Sequence, residues 1–78
     1  MDRKNTIVEL ALKIRSDVFW YMYDNVFLIG FYDHSNRFTH AMDIERLIDC
    51  LIAAGFQAHI EWDHNHMMHI LVRFTDGL

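Results

Sequence analysis

The chain has no proline, one cysteine and three glycines among its 78 residues. One cysteine rules out an internal disulfide. Its place within a helical pattern, at Cys50, suits a reducing compartment and a small, partly buried packing role. The glycines, Gly30, Gly55 and Gly77, form no phosphate-cradling loop. The serines, Ser16 and Ser35, sit in no glycine-rich elbow, so no nucleophilic site of that kind is expected. No apolar run approaches the ~20 residues of a transmembrane helix. The opening MDRKNTIVELALK lacks the apolar core and small-residue cleavage site of a signal peptide, which makes the cytosol the expected location. Basic residues are few: seven Lys and Arg stand against eleven Asp and Glu, a formal net charge of −4. Arg3, Lys4, Lys13 and Arg15 are interleaved with Asp2, Glu9 and Asp17, so no basic stripe survives for phosphates. Neither a nucleic acid nor a membrane is an expected partner. No catalytic grouping stands out, so an enzyme is not expected, and no cofactor is implied.

What the chain has in excess is apolar surface. Hydrophobic residues make up 53% of it. A single domain spanning residues 1–78 buries a smaller share of its surface than a larger protein does. Part of the surplus is therefore expected at an interface with another chain.

The clearest pattern lies near the end. Phe56, Ala58, Ile60 and Trp62 alternate with Gln57, His59, Glu61 and Asp63, and a second apolar series runs Met68, Ile70, Val72, Phe74. Period two marks strands with one buried face. A three-residue loop at 64–66 pairs Asp63 with Met67, Trp62 with Met68, Ile60 with Ile70, Ala58 with Val72 and Phe56 with Phe74. Every apolar residue then meets an apolar residue, whereas a two-residue loop mixes the faces. On the other face the same register sets Glu61 opposite His69 and His59 opposite Leu71.

Upstream, Thr6-Ile-Val-Glu9 has the form of a capping box. Ile7, Leu10, Ala11, Ile14, Val18 and Tyr21 follow at helical spacing, which predicts a first helix over residues 7–23. Asp24-Asn25 breaks it. Val26 to Tyr32 is apolar on both faces and predicts a central strand, the alternative being continuation of the helix. Seven of the eleven aromatic residues fall between Phe19 and Tyr32, a block that reads as core and interface packing. After a polar turn at 33–36, Thr39 or Asp43 caps a second helix carrying Ile44, Leu47, Ile48, Leu51 and Ile52. Gly55 ends it.

The expected fold is α+β, in the order helix-strand-helix-strand-strand. It has a small three-stranded mixed sheet, a right-handed β-α-β crossover, and both helices packed on the face of Phe56, Ile60, Trp62, Ile70, Val72 and Phe74. The opposite face is then open, and it carries the candidate binding surface: Met67, His69, Leu71, Arg73, His59 and Glu61. Four of the six histidines fall between His59 and His69. Imidazole with carboxylate suits a transition metal, so His59, Glu61 and His69 form an alternative metal site, although no known ligand spacing is present. The leading expectation is a small protein-protein interaction module. It would regulate or inhibit another protein by binding it, and would itself be a homodimer. A metal-binding or metal-responsive module is the alternative.

Overall fold

The computed structural model describes residues 3–23, 26–62 and 68–73; of Tyr23, Trp62, Met68, Leu71 and Arg73 it describes the backbone alone. The order is α1 (Arg3–Ile14), β1 (Val18–Tyr23), β2 (Val26–Phe31), α2 (Arg37–Ala53), β3 (Gln57–Trp62) and β4 (Met68–Arg73). The four strands form one sheet in the order β1-β2-β4-β3, and every neighbouring pair is antiparallel. The class is α+β, but the sheet has four antiparallel strands where three in a mixed sheet were expected.

The difference has one source. The first helix was expected to run to residue 23, but it stops at Ile14, and Val18–Tyr23 (VFWYMY) is a strand. The spacing of Val18 and Tyr21 fits a helix, yet all six residues but Met22 are β-branched or aromatic, and such side chains pack better on a pleated surface. Arg15-Ser16-Asp17 supplies the break through ion pairs described below. β1 then pairs with β2 from Val18 opposite Phe31 to Tyr23 opposite Val26. The crossover also changes. β2 and β3 run parallel but are not neighbours, because β4 lies between them and pairs with both.

Two caps differ from expectation. Thr6 lies inside α1, which begins at Arg3, so it does not cap that helix. The N-cap of α2 is Asn36, whose side-chain oxygen accepts from the Thr39 N–H at 3.0 Å. Thr39 is thus the residue being capped, and Asp43 is held deeper in the helix. The end of α2 follows the Schellman pattern: Phe56 N–H donates to the Leu51 carbonyl and Gly55 N–H to that of Ile52, each at 3.0 Å. Gly55 takes φ +95°, where an L side chain is strained. Cys50 is exposed on α2, not partly buried as expected.

The β3–β4 register is the expected one from Trp62 opposite Met68 to Ala58 opposite Val72. Phe74, the loop at 64–66 and the Asp63–Met67 pair lie outside the described residues. The core joins Ile7 and Ala11 of α1 and Ile44, Leu47 and Leu51 of α2 to Phe27, Ile29, Phe31, Ile70 and Val72 of the two central strands, all fully buried. Ala58, Ile60, Val18 and Phe56 pack at its margin. The buried strand residues share one pleat face, so both helices lie on that side of the sheet.

Candidate binding surface

Residues opposite each other in an antiparallel sheet point the same way, so the register defines the rows of the open face. One row is Phe19, Gly30, His69 and Glu61. The next is Tyr21, Leu28, Leu71 and His59, and the last is Tyr23, Val26, Arg73 and Gln57. Of the expected surface residues, His59, Glu61, His69, Leu71 and Arg73 thus occupy this face by register. Met67 lies outside the described residues. Half of the face comes from β1 and β2, outside the hairpin that carries the expected surface residues.

His69 is only 9% exposed, so it is less available for contact than expected. Gly30 lies beside it. A Cβ at Gly30 would lie 2.9 Å from Cζ of the Phe19 ring and 3.3 Å from Cβ of His69. The glycine therefore leaves room for an aromatic ring to cross the strand, a cross-strand cover that compensates the missing side chain. Tyr32 holds that ring from the other side, with centroids 5.1 Å apart. His59 and Glu61 are half-exposed and pair with each other, Nε2 to Oε1, at 2.8 Å. Among the described residues no three His, Cys, Asp or Glu side chains are grouped as metal ligands, His59, Glu61 and His69 included.

A second feature, absent from the sequence reading, lies at the N-terminal end of α2. Arg15 follows the last turn of α1, and its Nε and Nη2 donate to the two carboxylate oxygens of Asp17 at 2.9 and 2.5 Å. Nη2 also donates to the Asp33 carbonyl at 3.0 Å, and Asp33 N–H returns a bond to Asp17 Oδ2 at 2.9 Å. Nη1 lies 3.5 Å from Asp43 Oδ2, and Arg46 reaches the other Asp43 oxygen at 3.3 Å. The guanidinium covers the Phe31 ring, 4.9 Å from its centroid. Five segments are tied together: the end of α1, the start of β1, the end of β2, the loop after it, and α2. Hydrogen bonding to Arg15 holds the Asp17 carboxyl below its ordinary range, and the same bond pushes the Arg15 guanidinium up. An open pocket of about 260 Å³ is lined by Arg15, Asp33, Ser35, Asn36, Thr39 and Asp43. Arg15 and Asp43 pair with each other, and the Asp33 carboxylate accepts from the Ser35 N–H at 2.9 Å, which assigns the cluster to holding the fold.

His34 and buried His40 meet beside this cluster, with ring centroids 4.1 Å apart. Arg15 Nη1 lies 3.4 Å from His40 Nδ1; a guanidinium donates only, so Nδ1 is the acceptor there. Nε2 of His34 is buried and has no hydrogen-bond partner among the described residues. Burial first, then the charges of His40 and Arg15, pushes the His34 pKa down, against the weaker opposing pull of Asp33 and Asp17. The unfolded chain therefore binds a proton on His34 more readily than the folded chain. That contribution to stability is intact above the ordinary histidine value of 6.5 and declines as the pH falls through it towards the lowered native value. Thermal melts should show a lower midpoint at pH 5 than at pH 7.5, and His34→Gln should shrink the difference. An unchanged difference in the variant would place the pH dependence elsewhere.

Among the described residues no helix is long and apolar enough to cross a membrane. Comparison of the chain with protein-family models, with curated proteins and with solved structures finds no match, so geometry alone carries the functional reading.

Proposed function

We propose that this chain is a small protein-protein interaction module that regulates or inhibits another protein by binding it, and that it works as a homodimer. The observation that supports this most directly is the one-sided architecture. Both helices cover one face of the sheet, and the described side chains of the other include Phe19, Tyr21, Leu28, His59 and Glu61. Aromatic and aliphatic anchors beside a polar pair are the composition that protein interfaces use. Leu28 stands in the middle row on a central strand, between Tyr21 and Leu71.

Leu28→Glu tests the reading. The position is outside the helix-covered core, so stability should fall by no more than about 1–2 kcal/mol. A carboxylate set into an apolar contact is costly unless a partner charge meets it. Capture from a native-host lysate, read by mass spectrometry, should show proteins retained by the wild type and lost by the variant. Identical retained sets would contradict a binding role for this face.

A further inference from the structure

The two edges of the sheet are unlike. β3 carries Gln57, His59 and Glu61 and lies against α2, with Ala58 and Ile60 packed on the core. Charge of this kind keeps a strand edge from pairing with other chains. β1 has none. Its sequence VFWYMY contains no charge and no proline, and among the described residues no strand pairs with its free side. It is apolar on both faces. Phe19 and Tyr21 lie on the open face, while Trp20 and Met22, opposite Ile29 and Phe27, lie on the helix side. α1 covers the start of β1, where Ile14 and Val18 join the core, yet Trp20 remains 54% exposed and Met22 37%.

The phase of the ladder shows which backbone groups are free. Tyr32 N–H donates to the Asp17 carbonyl at 2.9 Å, so position 17 is a hydrogen-bonded position towards β2. Such positions alternate in an antiparallel pair, so 19, 21 and 23 also bond to β2. The N–H and C=O groups of Val18, Trp20 and Met22 consequently point outward from the sheet.

We propose that β1 is the homodimer interface: two copies pair antiparallel through this edge about a two-fold axis at Trp20, joining the sheets into one of eight strands. This rests on the homodimer reading above and specifies its contact. The occupant is a second copy because the edge is complementary to itself. The axis sets Val18 opposite Met22 of the other copy and Trp20 opposite its own equivalent. About six backbone hydrogen bonds form, and no two like charges meet. Apolar side chains flank the seam on both sides. The open faces of the two copies then run on as one surface, which leaves that surface to the partner protein.

Trp20→Pro and Trp20→Thr separate the backbone contribution from the side chain. Both lose the indole, but only proline loses the outward N–H, and it disturbs no bond to β2 because that N–H does not point there. In sedimentation equilibrium, Trp20→Thr should weaken the dimer by less than ~10-fold and Trp20→Pro by more than ~100-fold. Should circular dichroism show Trp20→Pro unfolded, Trp20→Cys on a Cys50→Ser background decides. Hydrogen-bonded antiparallel partners lie ~5.5 Å apart at Cα, within disulfide reach, so mild oxidation should yield a covalent dimer and Tyr21→Cys should not. A wild-type dimer kept equally by the Thr and Pro variants, or one not cross-linked through position 20, overturns the edge contact and leaves self-association standing. A wild type that stays monomeric overturns both.

Discussion

Phe31→Ala should remove most of the stability of this domain. Phe31 is fully buried at the end of β2, between the sheet and α2. Truncating a buried phenylalanine costs about 3–5 kcal/mol, from lost transfer free energy and an unfilled cavity. The ring does more than fill space. One face carries the Arg15 guanidinium at 4.9 Å, and His40 meets it edge-on at 6.2 Å. Removing it takes away the surface on which the Arg15 network rests, roughly another 0.5–1 kcal/mol. At roughly 0.05–0.15 kcal/mol per residue, a domain of this size has little to spare. Urea melts should show a midpoint shifted far down, or no folded baseline. A loss below about 1 kcal/mol would mean that Phe31 is not a central packing residue.

Arg15→Ala should cost about 2–4 kcal/mol, an unusually large effect for an arginine that follows a surface helix. Asp43 has a side chain only 9% exposed, and among the described residues it would keep Arg46, which is itself mostly exposed. Asp17 would lose both of its charge-assisted bonds, and the Asp33 carbonyl would lose its donor. Arg15→Lys should recover little of this, because an ammonium offers one charge centre and no planar fork. The effect has a sign in pH. The Asp17 carboxyl is held low in the folded state, so its contribution is fully present above its ordinary value of 3.8 and is lost as the pH falls through the lower native value. The gap between wild type and Arg15→Ala in denaturant melts should therefore narrow in acid. A constant gap would assign the loss to packing alone.

The hairpin of β3 and β4 was legible in the sequence because one face is buried and the other polar, so any slip would have mixed the two. β2 was legible as a central strand from its continuous apolarity, and it lies between β1 and β4. β1 was not. VFWYMY is apolar at every position, so it has neither a period of two nor one of 3.6, and the helical spacing of α1 carried into it by chance. Missing that strand changed the strand count and hid the part of the open face that β1 supplies. The Arg15 network was illegible for another reason. Arg15, Asp17, Asp33 and Asp43 are ordinary surface residues by type, and only the packing of α2 against the end of β2 brings Asp43 to the guanidinium. Arg15-Ser-Asp17 just before a strand was the one local signal, and such short pairs are too common to single it out. The packing of the Phe19 ring over Gly30, beside His69, likewise joins residues far apart along the chain.

The proposals for the open sheet face and for the uncharged β1 edge share one expectation, that the protein pairs with itself. Sedimentation equilibrium of the wild-type chain across the micromolar range tests this most directly. A species of twice the 9.4 kDa chain mass, dissociating reversibly on dilution, is the expected result. A single species at the monomer mass throughout, up to about 100 µM where even weak specific pairs form, would contradict it.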